Sequence, residues 1–158
     1  MVLSVATLQK WRTETEGQFF DRKSARLAPK DLASHISAFA NASGGTIVLG
    51  IENNGEVTGV DRDQENTFRQ AGMDFLEILP EYNTKLLAVP GNEEIKLLVM
   101  SVQPSHNLII KTKTGDAYLR VGDQSRKLNA SQLMELEYSR GTRTFENTII
   151  EIGRASCR

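Results

Sequence analysis

Residues 38–60, AFANASGGTIVLGIENNGEVTGV, decide the fold of this chain. Before the glycine pair Gly44-Gly45, apolar residues recur at helical spacing from Leu32 to Phe39, which predicts an amphipathic helix that ends at the glycines. The run Thr46–Ile51 that follows is apolar and rich in β-branched residues. Such a run is typical of a strand buried on both faces. The segment therefore predicts a helix that turns directly into a central strand.

Further turn signals and apolar runs surround this helix and strand. Asn53-Asn54-Gly55 is typical of a hairpin turn, with a return strand predicted at residues 56–60. The other predicted elements are a strand at 17–21, a helix at 64–79, paired strands at 85–89 with 95–102 and at 108–113 with 117–121, and a helix at 129–138 whose N-cap is Asn129. This order predicts an α+β fold, with a mixed and mainly antiparallel sheet of β-hairpins and about three packed helices.

The composition is that of one globular domain. Its 158 residues include 39% hydrophobic and 25% charged residues, which is ordinary for a soluble protein. No apolar run approaches the roughly 20 residues that span a bilayer, and the amino terminus lacks a signal-peptide pattern, so we expect a cytoplasmic protein without membrane contact. The net charge of −1 gives no general attraction to nucleic acid, and any such binding must depend on local patches.

The carboxyl-terminal residues 151–158, EIGRASCR, contain the single cysteine of the chain. They match the translation of a sequencing-adapter read-through, and we interpret them as a non-native tail. A short native terminus is the alternative. Residues 141–150 are interpreted as the start of a linker to a downstream region, and residues 1–140 as the domain itself.

Glu16, Asp21 and Lys23 form a charged cluster near the start of the chain. On an extended strand, positions 21 and 23 share a face. Carboxylates beside an ammonium group can hold a metal-bound phosphate or orient a water molecule, and Mg²⁺ or Mn²⁺ would suit Glu16 and Asp21 as ligands. A surface ion pair of little energetic weight is the alternative interpretation.

The last third of the chain is locally basic, and it supplies candidate contacts to a phosphate backbone. Basic side chains attract phosphates, and a tyrosine on the same hairpin can stack on a base. A solvated sheet face is an equally good interpretation. With Lys23, the candidate nucleic-acid contacts are Lys111, Lys113, Tyr118, Arg120 and Arg126. No GK[ST] phosphate loop is present, and Gly44-Gly45 close a helix instead of opening one, so the sequence does not support ATP binding.

Three separated motifs together resemble the Schlafen AlbA-like domain. They are E-x4-D-x-K at residues 16–23, the glycine-pair segment quoted above, and YLRVGDQS at residues 118–125. The resemblance covers about residues 14–138. It implies an α+β fold and a place at the amino terminus of longer bacterial proteins, which are usually called transcriptional regulators or ATP-dependent helicase-like proteins. The domain is also catalogued as a DNA-binding or divergent AAA-type ATP-binding module.

The resemblance also implies a possible nuclease site. In animal Schlafen relatives this domain forms an RNA endonuclease with three acidic residues. The first two correspond to Glu16 and Asp21, and the closest match to the third is Asn53, whose amide oxygen carries no charge. A metal held by two carboxylates instead of three should bind more weakly.

These observations leave three functions to compare. The first is a nucleic-acid-binding module, for DNA or RNA, of a larger bacterial transcriptional regulator or helicase-like protein. The second is a metal-dependent endoribonuclease that uses Glu16, Asp21, Lys23 and Asn53. The third is an interaction domain that assembles into a homo-oligomer. The sequence favours the binding module and leaves open whether the chain is an enzyme.

Overall fold

The computed structural model describes residues 1–141. Apart from Gly141, the expected linker at 141–150 lies outside the described residues, as does the expected tail at 151–158. The α+β prediction is confirmed by a mixed four-stranded sheet, a separate hairpin and surrounding helices. The elements are α1 (Val5–Thr13), β1 (Phe20–Lys23), α2 (Pro29–Asn41), β2 (Gly45–Leu49), α3 (Arg62–Arg69), α4 (Ala71–Phe75), β3 (Tyr82–Val89), β4 (Asn92–Val102), β5 (Tyr118–Val121), β6 (Gln124–Lys127) and α5 (130–141, within the described part).

The main sheet has the strand order β1-β2-β4-β3. β1 and β2 are parallel and are connected through α2, with Asp21 paired to Ile47, whereas the other neighbouring strands are antiparallel. Ile47, Val48 and Leu49 of β2 are all fully buried, which confirms the prediction of a strand covered on both faces. Among the described helices, none is long and apolar enough to cross a membrane.

Two apolar clusters cover the two faces of this sheet. The first packs α2 on one face, and its members include Leu32, Ile36, Phe39, Ile47, Leu49, Leu98 and Met100. The second lies on the α1 side, and its buried members are Leu3, Phe20, Val48, Ile51, Val89, Leu97 and Val99, with Leu8 and Trp11 partly buried against them. Residues of β1 therefore alternate between the two clusters, so that Asp21 faces α2 and its neighbours Phe20 and Arg22 face α1.

The glycine pair lets α2 turn into β2 through only three residues, 42–44. The amide of Gly44, at φ +76°, donates to the carbonyl of Phe39 at 2.8 Å and closes the helix. At Gly45 a Cβ atom would lie 2.6 Å from the ring of Phe39 and 2.8 Å from the carbonyl oxygen of Phe19. Only glycine fits between the helix and the incoming strand, so the pair is a structural turn.

Two predicted hairpins differ from the structure. The predicted return strand at 56–60 is wrong: within the described part the pairing is a single bridge between Ile51 and Val57, because the chain bends at Gly59 (φ +78°) toward β4. The predicted pairing of 108–113 with 117–121 is confirmed in the described residues only as one antiparallel bridge, between Lys111 and Ala117, because β5 continues by pairing with β6. The backbone near Ile110 instead bonds to the side chains of Ser37 and Asn41 on α2, at 2.7 to 2.9 Å.

Other predicted boundaries moved by a few residues. The predicted helix at 64–79 is divided into α3 and α4 at Gln70, where the hydroxyl of Tyr82 donates to the carbonyl of Arg69 at 2.9 Å. The predicted strand at 17–21 begins instead at Phe20. The hairpin of β3 and β4 and the N-cap at Asn129 are confirmed, since the Asn129 side chain accepts from the amide of Gln132 at 2.8 Å.

Candidate functional site

A buried ion pair lies at the centre of the candidate site. NH1 of Arg120, on β5, donates to Oδ2 of Asp21, on β1, at 2.8 Å. The two side chains are 0% and 1% exposed. The guanidinium carbon of Arg120 also lies 4.6 Å from the centre of the Phe39 ring, a favourable cation–π distance. This contact joins the β5–β6 hairpin to the edge strand of the main sheet.

The remaining donors of Arg120 are also directed at protein acceptors. Nε donates to the carbonyl of Gly17 at 3.0 Å, NH2 to the carbonyl of Phe20 at 3.3 Å, and NH1 to Oγ of Ser125 at 3.0 Å. Sequence reasoning offered Arg120 as a phosphate contact, with a solvated sheet face as the alternative. The structure corrects both expectations, because β5 turns this face toward α2 and the side chain is buried.

His35 extends the network from α2. Its Nδ1 lies 2.7 Å from Oγ of Ser125 and 4.0 Å from Oδ2 of Asp21. Both groups approach the same ring nitrogen, so the three residues do not form a Ser-His-Asp relay, which needs one partner on each nitrogen. Burial lowers the pKa of His35 to about 4, and the charges of Lys23 and Arg120 act in the same direction, against the opposing effect of Asp21. His35 is therefore neutral at pH 7.

Glu16 and Lys23 form the accessible side of the network. Nζ of Lys23 lies 3.4 Å from Oδ1 of Asp21, and its side chain is 24% exposed. Oδ1 is buried and makes no hydrogen bond within the described part of the chain. Burial raises the pKa of the half-buried Glu16, and the Asp21 carboxylate raises it further, against the effect of Lys23. The structure thus brings together three residues that the sequence grouped by spacing alone.

Asn53 is not brought to this cluster. It is exposed, and its backbone oxygen lies 3.4 Å from NH2 of Arg22, whose guanidinium also contacts the carbonyls of Trp11 and Glu14 on the α1 side of the sheet. The adjacent acid, Glu52, is bound to the Arg26 guanidinium at 2.5 Å and to the Thr58 hydroxyl at 2.9 Å. Accordingly, residues 1–141 contain no group of three His, Cys, Asp or Glu side chains arranged to hold a metal ion.

The other predicted nucleic-acid contacts differ in how accessible they are. Lys113 and Arg126 are exposed, and Nε of Arg126 donates to the side chain of its neighbour Gln124 at 3.0 Å. Nζ of Lys111 is paired with the Glu137 carboxylate at 2.7 Å. Tyr118 is half-buried, because its face of β5 packs on α2. Arg126 directly follows Ser125 on β6 and is paired with Leu119, so its side chain lies on the face of the hairpin opposite Arg120 and Ser125.

Sequence reasoning missed His35, Ser125 and Lys127. Lys127 presents a side chain that is 59% exposed, 3.4 Å from the Asp116 carboxylate. The motif YLRVGDQS contained a usable signal for Ser125, because a tight turn at Gly122 places Ser125 opposite Arg120. His35 carried no such signal, since its partners lie on strands far away in the chain.

Comparisons with known proteins agree with this architecture. A profile of the family described as Schlafen, AlbA_2 matches residues 16–129, a range that contains the whole network. A crystal structure of the DIP2311 protein from Corynebacterium diphtheriae matches with a TM-score of 0.57 at 22% identity, which shows a shared fold. The match covers 78% of this chain but only 27% of that chain. No curated protein is significantly similar in sequence.

Arg120→Met should destabilise the fold strongly. The change leaves the Asp21 carboxylate buried without its partner, which typically costs about 3–5 kcal/mol. Chemical denaturation measures the effect. Arg126→Met is the matched control, because it alters an exposed arginine of the same hairpin and should change stability by less than about 0.5 kcal/mol. A loss below about 1 kcal/mol for Arg120→Met would contradict the structural role of the pair.

The buried and neutral His35 should make stability fall as the pH falls from about 6.5 to 4. In this window the unfolded chain protonates its histidine while the folded chain keeps His35 neutral, so protons favour unfolding, by up to about 3 kcal/mol at the acidic end. His35→Gln should remove this part of the pH dependence. Denaturation curves across the window measure it, with His106→Gln as a control at an exposed position. Parallel pH profiles of wild type and His35→Gln would disprove the assignment.

Proposed function

The chain belongs to the Schlafen, AlbA_2 family, and on that basis we propose that it is a nucleic-acid-binding module, for DNA or RNA, of a larger bacterial transcriptional regulator or helicase-like protein. The family is described as a DNA-binding or transcription-related module, which supports the proposal at the level of the class. The chain corresponds to only 27% of the solved protein that shares its fold, and a function within a larger protein is consistent with that proportion.

The observation that carries the proposal is the position of the Lys23 ammonium. Arg120 pairs with Asp21 inside the protein, and Lys23 lies 3.4 Å from the same carboxylate with 24% of its side chain exposed, beside the half-buried Glu16. Asp21 also holds the ammonium in place, which reduces the ordering that phosphate binding would otherwise require. A fixed and partly exposed cation on an edge strand is suited to a phosphate oxygen.

The hairpin that carries Arg120 also presents exposed cations. Ser125 contacts both Arg120 and His35, so β6 lies against the network, and the next two residues along it are the exposed Arg126 and Lys127. The net charge of the chain is only −1, so any attraction to phosphate must come from local groups of cations such as these. The supporting contacts are therefore Lys23, Arg126 and Lys127, with Arg120 as the residue that positions Asp21.

Lys23→Gln and Arg126→Gln should each weaken nucleic-acid binding and make it less dependent on salt. Each change removes one phosphate contact, so the slope of log affinity against log salt should decrease by about 1. Fluorescence anisotropy with labelled DNA and RNA across a salt series measures both quantities. Lys85→Gln, an exposed lysine on the opposite edge strand β3, is the matched control. The proposal fails if wild type does not bind at low salt, or if all three variants bind as wild type does.

A metal-dependent endoribonuclease is the second candidate, and one observation favours it. Oδ1 of Asp21 is buried and accepts no hydrogen bond from residues 1–141, and it lies next to the second carboxylate, Glu16. Two carboxylates fit a Mg²⁺ or Mn²⁺ ion whose remaining ligands are water and substrate phosphate. Glu16 and Asp21 would hold the ion, which when bound would supply positive charge at the scissile phosphate. Lys23 would stabilise the same negative charge from the protein side.

RNA cleavage tests this second candidate. The wild-type chain, incubated with structured RNA and Mn²⁺, should produce cleavage products, and Glu16→Gln should reduce them at least about 100-fold because it removes a ligand charge. Glu93→Gln, at an exposed position on β4, should retain wild-type cleavage. Anisotropy should show that Glu16→Gln still binds RNA. If the wild-type chain cleaves no RNA, or if Glu16→Gln cleaves at the wild-type rate, the chain is not an endoribonuclease of this kind.

A further inference from the structure

We infer that Phe19 is a stacking platform for an unpaired nucleobase, so that the nucleic acid bound beside Lys23 is single-stranded. This inference rests on the proposed function and names its substrate class. The side chain of Phe19 is 61% exposed, whereas the adjacent Phe20 is 8% exposed. Phe20 is therefore part of the core, whereas the side chain of Phe19 remains exposed to solvent.

Phe19 directly precedes β1, the strand that carries the charged cluster. Its carbonyl accepts from the amide of Thr46 at 2.8 Å, a hydrogen bond that belongs to the Phe20–Thr46 pair at the start of the β1–β2 ladder. Asp21 and Lys23 share one face of the strand, and Phe19 lies two residues before Asp21. At a rise of about 3.3 Å per residue, the backbone positions of Phe19 and Lys23 are about 13 Å apart. A single strand can reach both within a few nucleotides.

The backbone that carries Phe19 is held on both sides. The side-chain amide of Gln18 makes two hydrogen bonds to the hairpin. Its Nε2 donates to the carbonyl of Arg120 at 2.8 Å, and its Oε1 accepts from the backbone amide of Gly122 at 2.9 Å. The amide of Gly17 donates to the carbonyl of Phe20 at 2.9 Å. Since the segment is fixed to the hairpin and to β1, ordering the ring on binding involves only its two side-chain torsions.

The combination of a ring and a cation favours a single strand over a duplex. Aromatic platforms bind the exposed faces of unpaired bases, which are already covered by neighbours inside a duplex. Phosphate contacts from Lys23 alone would serve either form. An exposed aromatic ring four residues before Lys23 adds a contact that only a splayed base can use. Every base has such a face, so this contact requires no particular sequence.

Phe19→Leu tests the inference, because it keeps an apolar side chain and removes the aromatic face. Binding to single-stranded DNA and RNA of matched sequence should weaken about 5- to 100-fold, and binding to the corresponding duplexes should not change. Phe19→Trp should retain or strengthen single-strand binding. The matched control is Tyr138→Leu, which removes an aromatic side chain that is 74% exposed on α5. That control should bind as wild type does.

An abasic scan gives a signature of stacking that a folding defect would not produce. In this scan a single abasic nucleotide is placed at each position of the strand in turn. At one position it should weaken binding by the wild-type chain. At that same position it should have little effect on binding by Phe19→Leu. The inference is overturned if Phe19→Leu binds single strands as well as a wild-type chain that binds them. It is also overturned if Phe19→Leu loses as much duplex binding as single-strand binding. In both cases the proposed function survives. If wild type binds neither strand form, the proposed function itself fails.

Discussion

The ion pair between Asp21 and Arg120 is the contact on which the arrangement of this domain depends. The main sheet is complete without the β5–β6 hairpin, which shares no strand ladder with it. The hairpin is held by contacts of Gln18 and α2 with its backbone, and by one buried guanidinium that reaches Asp21 and the carbonyls of Gly17 and Phe20. A buried carboxylate and a buried guanidinium each incur a large desolvation cost, so either one is tolerated only with the other in place. The main effect of the pair is therefore to specify the position of the hairpin, and its net contribution to stability is smaller.

This contact also determines which groups remain accessible. Because Arg120 satisfies Oδ2 of Asp21 from the interior, Oδ1 remains for Lys23 and Glu16 at the surface. The same hairpin holds Gln18, and through it the backbone of the exposed Phe19. One structural ion pair therefore orders a carboxylate and an ammonium group on a single edge strand, with an exposed aromatic ring directly before it. In the proposed function Lys23 would contact a phosphate and Phe19 a base, which neither residue could achieve alone.

Much of the fold could be predicted from local sequence. The helix, glycine pair and buried strand follow from periodicity and from the need for a residue without Cβ at a tight junction. The β3–β4 hairpin and the capped start of α5 follow from turn and capping residues within a few positions of each other. The predicted hairpin at 108–121 is reduced, within the described residues, to one bridge between Lys111 and Ala117, because the residues before it have partners far away in the chain. The partners of Ile110 are the side chains of Ser37 and Asn41, which no local pattern reveals.

The residues of the candidate site also divide into those that local sequence could predict and those that it could not. The sequence by itself determined that Glu16, Asp21 and Lys23 would be neighbours, because five and two residues along a turn and a strand leave little freedom. Only the tertiary structure decided that Arg120 is internal, that His35 is neutral and that Asn53 lies beside Arg22. These outcomes depend on contacts between residues far apart in the chain, such as the 99 residues that separate Asp21 from Arg120. Spacing limits which side chains can be neighbours locally, whereas burial and charge pairing across the fold decide which of them stay exposed to a ligand.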